Sequence, residues 1–317
     1  MTTHILLTGA GFSRNWGGWL AKELEGDLLA RLASDSELRK LVQTSTNYEE
    51  ALEFARGVGF SRPGAGTEAI KRLEKAIEDS FWAMNMALAM RPNLELSAEG
   101  SPSIQGFLGR FDAIFSLNQD LLLDFHYSPK GRSPPRWEGT YFPGIVPQIM
   151  PILTSGELVS LRRTVGEIGC SMAALQPIYK LHGSVDWLDG TGSLFVVGGG
   201  KESYILSKPL LRAYFDEFQR RLLMPQTRLM VIGYGFADEH VNKLISDASQ
   251  ANGTLFIYYV HPEGRDAVHR GKQHQVMMGY SPPDIARVPC IGESRRPLSS
   301  TFTTDLLEYD KLVRFFA

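Results

Sequence analysis

The sequence predicts an α/β fold built on a parallel sheet flanked by helices. Short apolar or β-branched runs stop at glycine or asparagine turns, and stretches of helical period lie between them. A late run, residues 254–260, is apolar almost throughout, as central parallel strands are. The 317 residues are 43% hydrophobic, enough for a sizeable core in one large or two modest domains. The formal net charge of −2 gives no global footprint for nucleic acid or an acidic membrane. The densest basic spots, Arg162-Arg163 and Arg220-Arg221, read as helix surfaces.

The first strand is expected at residues 4–8, ending in the breaker Gly9-Ala10-Gly11. Residues 19–41 follow with Leu20, Leu24, Leu28, Leu29 and Leu32 at three- and four-residue spacing, a helical period. Residues 48–56 and 68–90 continue it, with Ile70, Leu73, Ile77, Phe81, Met84 and Leu88 on one stripe, broken by residues 61–66 between them. Residues 15–105 thus read as a mainly helical subdomain, closed by Pro92 and residues 97–102. Strands are next expected at 112–117 and 177–181, with a short helix at 121–125. Residues 128–150, rich in Pro, Gly and aromatics, read as a long loop of the kind that carries function. A hairpin-like edge is expected at 193–197, before Gly198-Gly199-Gly200. Then come a helix at 208–223, a strand at 228–233, a helix from Glu239 capped by Asp238, and the strand at 254–260. Residues 261–300 show little pattern, and an amphipathic helix over 305–316 closes the chain.

No apolar run approaches the ~18 residues of a membrane span, and residues 1–7 resemble no secretory leader. A soluble, cytoplasmic protein is expected. The two cysteines, Cys170 and Cys290, form no CxxC pair, so one chain cannot build a four-cysteine zinc site. Two buried free thiols are expected, with a single disulfide as the alternative.

Four motifs fall at predicted strand ends. Gly9-Ala10-Gly11-Phe12-Ser13 suits a phosphate cradle, because glycines let the backbone approach a pyrophosphate. It lacks the third glycine and the later acidic residue of a dinucleotide fingerprint, and no Gly-Lys-Ser/Thr of a Walker loop follows. A tight strand–helix turn is its plain alternative. Asn118 and Asp120 follow the next strand at the edge where parallel sheets bind ligands; an Asx turn with a helix cap is the alternative. His182, followed by Gly183, is the histidine best placed for proton transfer, or a structural residue of a turn. His4, His126, His240, His261, His269 and His274 show no spacing that suggests a metal. Gly233-Tyr234-Gly235-Phe236-Ala237-Asp238-Glu239-His240-Val241-Asn242 supplies a second glycine turn that opens a helix, with a simple connection as its alternative.

Taken in order, Gly-Ala-Gly-x-Ser, Asn-x-Asp, Leu-His-Gly and the late Gly-Tyr-Gly-Phe-x-Asp-x-His resemble the sirtuin superfamily. More closely they resemble bacterial sirtuin-like domains of antiphage defence, whose last motif reads Gly-Tyr-Ser-Phe-x-Asp-x-His-Ile-Asn. The resemblance covers about residues 4–262. It implies one sirtuin-like domain over residues 1–317: a Rossmann-like parallel sheet flanked by helices, with a helical insertion at 15–105 replacing the sirtuin zinc module and a C-terminal extension at 261–317. It also implies NAD as a bound substrate, with no metal expected. Gly9, Ala10, Gly11, Phe12 and Ser13 would hold the pyrophosphate. Gly233, Tyr234 and Asp238 would line the adenosine side, with Val260 and His261 near the adenine. Asn118, Asp120 and His182 would meet the nicotinamide end as catalytic residues.

Two departures from protein deacylases stand out. Ser13 is followed by Arg14-Asn15-Trp16-Gly17-Gly18-Trp19 rather than Ile-Pro-Asp-Phe-Arg, and the zinc cysteines are absent. The resemblance therefore implies an NAD+ glycohydrolase (NADase) that yields nicotinamide and ADP-ribose and acts as an antiphage effector by depleting NAD in abortive infection. It implies a homo-oligomer gated by a partner such as a HerA-type ATPase or a phage-derived trigger, with no membrane or direct nucleic-acid role. An NAD-dependent protein deacylase and a non-catalytic NAD or ADP-ribose scaffold are the alternatives.

Overall fold

The computed structural model describes residues 2–58, 65–91, 102–129, 136–147, 163–166, 172–198, 201–277 and 285–317. The chain starts with β1 (Thr3–Thr8) and α1 (Ala10–Arg14), then four helices: α2 (Ala21–Arg31), α3 (Ser36–Thr44), α4 (Tyr48–Val58) and α5 (Ala65–Met90). The single helix expected over 19–41 is two, because Asp35 starts a new one: its carboxylate accepts from the Leu38 N–H at 3.1 Å. After α6 (Ile104–Leu108) come β2 (Ala113–Ser116) and α7 (Leu122–His126).

Residues 128–150 are not wholly loop. They contain β3 (Gly139–Tyr141) and β4 (Ile145–Pro147), three-residue strands too short to show a period; 130–135 and 148–150 lie outside the described residues. Next are β5 (Arg163–Val165), β6 (Leu175–Lys180), β7 (Gly183–Asp189) and β8 (Gly192–Phe195). Arg163 thus lies in a strand, not on a helix as expected; Arg162 and Cys170 are outside the described residues. The helix expected at 208–223 is α9 (Pro209–Leu222), with Pro209 at its first position, and an unexpected short helix, α8 (Lys201–Ser207), precedes it. Then come β9 (Thr227–Ile232), α10 (Glu239–Ala251), β10 (Phe256–Val260) and α11 (Asp266–Met277). The region 261–300, which looked unpatterned, also holds β11 (Cys290–Ser294) and α12 (Leu298–Thr301) before α13 (Leu306–Val313). Cys290 is a free and exposed thiol, against the expectation of burial, because β11 is an edge strand.

Seven strands form one sheet in the order β11-β10-β9-β1-β2-β6-β3, and every pairing in it is parallel. This is the Rossmann-like α/β class. Its two faces follow from strand periodicity. Leu6, Ile114, Ile178, Met230, Ile232 and Tyr258 pack with Leu24, Leu38, Leu52, Leu73 and Phe81 of α2 to α5. Ile5, Leu7, Phe115, Leu229, Val231 and Ile257 pack with Tyr214 and Phe218 of α9 and Ile245 of α10. Both faces are apolar because both are covered, which explains strands without polar alternation.

A second sheet, in the order β4-β5-β7-β8, takes up the hairpin-like edge expected near 193–197. The chain crosses from the large sheet to the small one at Leu181-His182. Gly183 makes the corner at φ +71°, and a Cβ there would lie 2.1 Å from the Leu194 carbonyl oxygen. Only glycine suits that position, and it fixes where His182 stands.

No helix among the described residues is long and apolar enough to cross a membrane.

Candidate functional site

Strand order reverses between β1 and β9: the chain builds outward through β2 on one side and through β10 on the other. In open parallel sheets the crevice at such a reversal, beyond the carboxyl ends of the strands, binds ligands. A cavity of about 930 Å³ opens there, near the upper end of the ~300–1,000 Å³ usual for small-molecule and cofactor pockets. Its walls include Gly9, Ala10, Gly11, Asn118, Asp120, His182, Gly233, Tyr234, Asp238, His240 and His261. Motifs as far apart in sequence as Gly9 and His261 therefore share one cavity.

Phe12 and Ser13 do not line it. Phe12 is buried against Trp16, with ring centroids 5.0 Å apart, because α1 turns its apolar face to the core. Ser13 is spent on an internal bridge. Its Oγ accepts from Asn118 Nδ2 at 3.0 Å, and its hydroxyl also hydrogen-bonds the Asp120 side chain. The glycines serve contact between loops. Gly11 N–H donates to the Gly233 carbonyl at 2.9 Å, and a Cβ on Gly233 (φ +65°) would lie 2.2 Å from the Phe12 nitrogen. The two turns after β1 and β9 can touch only because neither carries a side chain there.

The second Nδ2 hydrogen of Asn118 goes to the Gly9 carbonyl at 3.0 Å. A carbonyl can only accept, so the amide is oriented with Nδ2 on that side, and Oδ1 is the atom left for a ligand. Asp120 combines cavity lining with an Asx turn: it lines the cavity, and its Oδ1 accepts from Leu122 N–H at 3.1 Å just before α7, whose cap position is Leu121. Burial raises its pKa, against Ser13 and Lys180.

Lys180 was not singled out in the sequence, and it anchors this loop. Its ammonium is fully buried, 2.7 Å from Asp124 Oδ2, and donates to the Asp120 carbonyl (2.7 Å) and Ser184 Oγ (2.8 Å). Ser184 in turn donates to Asp186 at 2.6 Å. Asn85 of α5 adds a clamp, accepting from Leu121 N–H at 2.6 Å. A lysine at a strand end carries no local signal of such a role.

His182 Nε2 lies 3.1 Å from His240 Nε2, and its ring also hydrogen-bonds the Leu117 backbone. A carbonyl partner assigns the ring proton to that side and leaves Nε2 to accept. Burial pushes the His182 pKa down to about 3, against the attraction of Asp238. Asp238 does not cap α10 with its side chain as expected. Its Oδ1 is drawn instead to Lys201 at 3.0 Å, and Lys201 also meets Glu49 Oε2 at 2.8 Å. Burial works to raise the Asp238 pKa, yet Lys201, His182 and His240 hold it below the usual carboxylate range. Burial raises that of Glu49. His240, Lys201 and Glu49 are the site residues that sequence reasoning missed; the His240 in the late motif was the available signal.

The hydroxyl of Tyr234 is engaged internally with Asn242 at 2.9 Å, and His261 Nδ1 accepts from Glu263 N–H at 3.1 Å. Three arginines also reach the cavity, each beside a carboxylate: Arg14 with Glu23 at 2.8 Å, Arg270 with Glu263, and Arg296 with Asp305 at 4.0 Å. Arg14, Arg270 and Arg296 line the cavity, and the 296–299 segment is tied to that loop by Leu298 N–H donating to Asn15 Oδ1 at 2.9 Å.

Burial is the leading cause of a lowered pKa at His4, His182, His240 and His261. Each binds a proton less readily when folded than when unfolded. Between the folded values and the unfolded value of ~6.5 the unfolded chain holds more protons, so stability falls as pH drops through that window. Asp120 and Glu49, raised by burial, act in the opposite sense just above pH ~4. With EDTA present, the expected Tm is lower at pH 5 than at pH 7.5; an equal or higher Tm at pH 5 would contradict the lowered proton affinity of these histidines.

Residues 164–277 match the family model of the SIR2-like domain. The match runs from β5 through α11 and takes in His182, Gly233, Tyr234, Asp238, His240 and His261; Gly9 to Ser13 and Asn118 to Asp120 precede it. It bears out the sirtuin-like part of the resemblance over that segment. A solved structure described as "Structural Basis for the Mechanism and Regulation of Sir2 Enzymes" aligns at a TM-score of 0.39 with 11% identity, covering 99% of this chain and 94% of that one. No curated protein matches the chain in sequence.

Proposed function

We propose that the protein is an NAD+ glycohydrolase that cleaves the nicotinamide–ribose bond. The observation that carries this reading is one shared cavity at the strand-order reversal, lined by Gly9, Ala10 and Gly11, by Arg14, Arg270 and Arg296, and by Asn118, Asp120, His182 and Asp238. The lining suits a dinucleotide: the arginines can meet a pyrophosphate, and the carboxylates the ribose that gains positive charge.

In this reading the bond from the ribose anomeric carbon to nitrogen breaks, its electron pair leaving with neutral nicotinamide. The transition state resembles an oxocarbenium ion, and Asp120 and Asp238 offset its charge. Asn118 Oδ1 accepts a hydrogen bond from a ribose hydroxyl or from the attacking water. The water oxygen bonds to the anomeric carbon, and its proton passes to His182 Nε2 and then to solvent. NAD+ and water give nicotinamide, ADP-ribose and a proton. Unchecked, such an activity depletes NAD. The defence role, a homo-oligomeric state and gating by a HerA-type ATPase or a phage-derived trigger extend this reading, and the motif resemblance is their support.

Purified protein incubated with NAD is expected to release nicotinamide and ADP-ribose in equal amounts, followed by liquid chromatography, and Asn118→Ala is expected to slow this at least about tenfold. Absence of release, alone and with candidate activators, would sink the proposal. Tight NAD binding in that case would favour a scaffold.

A further inference from the structure

Three side chains from two distant segments converge beside the reacting centre. His182 stands at the corner after β6, and Asp238 and His240 flank the start of α10. One ligand atom from each lies within 4.8 Å of the others, and this is the group of metal-ligating geometry among the described residues. The two imidazole Nε2 atoms are 3.1 Å apart. Two histidines on one zinc ion, at ~2.0–2.1 Å each and a tetrahedral angle, hold their nitrogens about 3.4 Å apart. A shift of a few tenths of an ångström, about 0.3 Å, therefore admits an ion between them.

The supporting contacts also fit a metal site. Well-made sites fix each ligand by an outer hydrogen bond. Here the His182 ring is held by the Leu117 backbone, and its partner His240 lies against the Phe215 ring at 5.3 Å. Lys201 takes only Oδ1 of Asp238, and its own charge is shared with Glu49. A carboxylate has a second oxygen to offer.

We propose that His182, Asp238 and His240 bind one divalent transition-metal ion of the zinc, cobalt or nickel class, facing the cavity. Two imidazoles and one carboxylate select that class over magnesium or calcium, which prefer all-oxygen sets. The ion occupies His182 Nε2, the atom that takes the proton in the cleavage reaction. Metal binding is therefore inhibitory, and this second part rests on the NAD-cleavage reading.

The test uses the full chain stripped with a chelator and titrated with Co2+, whose visible absorption reports a nitrogen–oxygen site without any enzyme assay. The expected result is saturation at one Co2+ per chain and displacement by one equivalent of Zn2+. His240→Ala, and the milder His240→Asn, weaken binding at least tenfold. His269→Ala, at an exposed histidine of α11, leaves it unchanged. Thermal melts without metal confirm that each variant is folded. No saturable absorption, equal binding by both His240 variants, or equal loss in His269→Ala overturns the site. One equivalent of Zn2+ is then expected to lower NAD cleavage at least tenfold, with recovery on adding EDTA. Undiminished cleavage with zinc bound overturns the inhibitory role and leaves the cleavage reading intact. Stoichiometric Co2+ binding by a protein that never cleaves NAD keeps the metal site and overturns the cleavage reading instead.

Discussion

His182→Ala is expected to lower NAD cleavage by about 10²–10⁴-fold, the usual contribution of a positioned general base. The imidazole is buried, its ring is fixed by the Leu117 backbone, and its Nε2 meets only His240. With a pKa of about 3, the ring is neutral throughout the neutral range and enters the reaction in its accepting form. That value already includes the pull of the nearby Asp238 carboxylate, so the ring hands the proton on to solvent readily. The variant should still bind NAD, because the glycine turns and the arginines stand on other elements. A fall in turnover with little change in NAD affinity is therefore the expected pattern. Affinity lost in parallel with rate would make His182 a binding residue, and an unchanged rate would remove it from the mechanism. A wild-type pH profile should likewise show no loss from His182 titration above about pH 4.

Lys180→Met is expected to destabilise the fold by about 3–5 kcal/mol, because it removes the ammonium that pairs with the buried Asp124 carboxylate. Both side chains are only 1% exposed. The substitution also strips the donor from the Asp120 carbonyl and Ser184 Oγ. Typical domains are stable by only ~5–15 kcal/mol, so the loss is a large fraction of the whole. A thermal melt should show Tm lower by roughly 5–10 °C. Replacing both partners, Lys180→Met with Asp124→Leu, should recover much of it, since a buried pair adds little over a packed apolar pair. A double variant no better than Lys180→Met would mean that the ammonium acts mainly through the Asp120 and Ser184 contacts. In either case the loop carrying Asn118 and Asp120 loosens, so activity should fall further than stability alone explains.

The sheet was legible in the sequence wherever a strand ran into a turn with its own chemistry. β1, β2, β6, β9 and β10 all lie within a few residues of their expected places, because each is a short apolar run stopped by glycine, asparagine or histidine. The edge strands β3 and β11 and the small sheet were less so. All of these but the seven-residue β7 are strands of three to five residues, too short to show a period, and their pairing depends on partners far along the chain. Within the site, Gly9, Gly11, Asn118, Asp120, His182 and Gly233 were visible one by one. The turn of Phe12 into the core and the use of Ser13 as a bridge were not, since both depend on what packs above α1.

By itself, then, the sequence determined the local features of this protein: apolar strands covered on two faces, glycines where backbones must meet, and polar side chains just beyond strand ends. Only the tertiary structure decided which of those ends share a cavity. The contact of His182 with His240 spans 58 residues, and the pairing of Lys180 with Asp124 joins a strand end to a short helix. Spacing along the chain encodes neighbours within a turn or a strand. It does not encode contacts that exist only once parallel strands are ordered across a sheet.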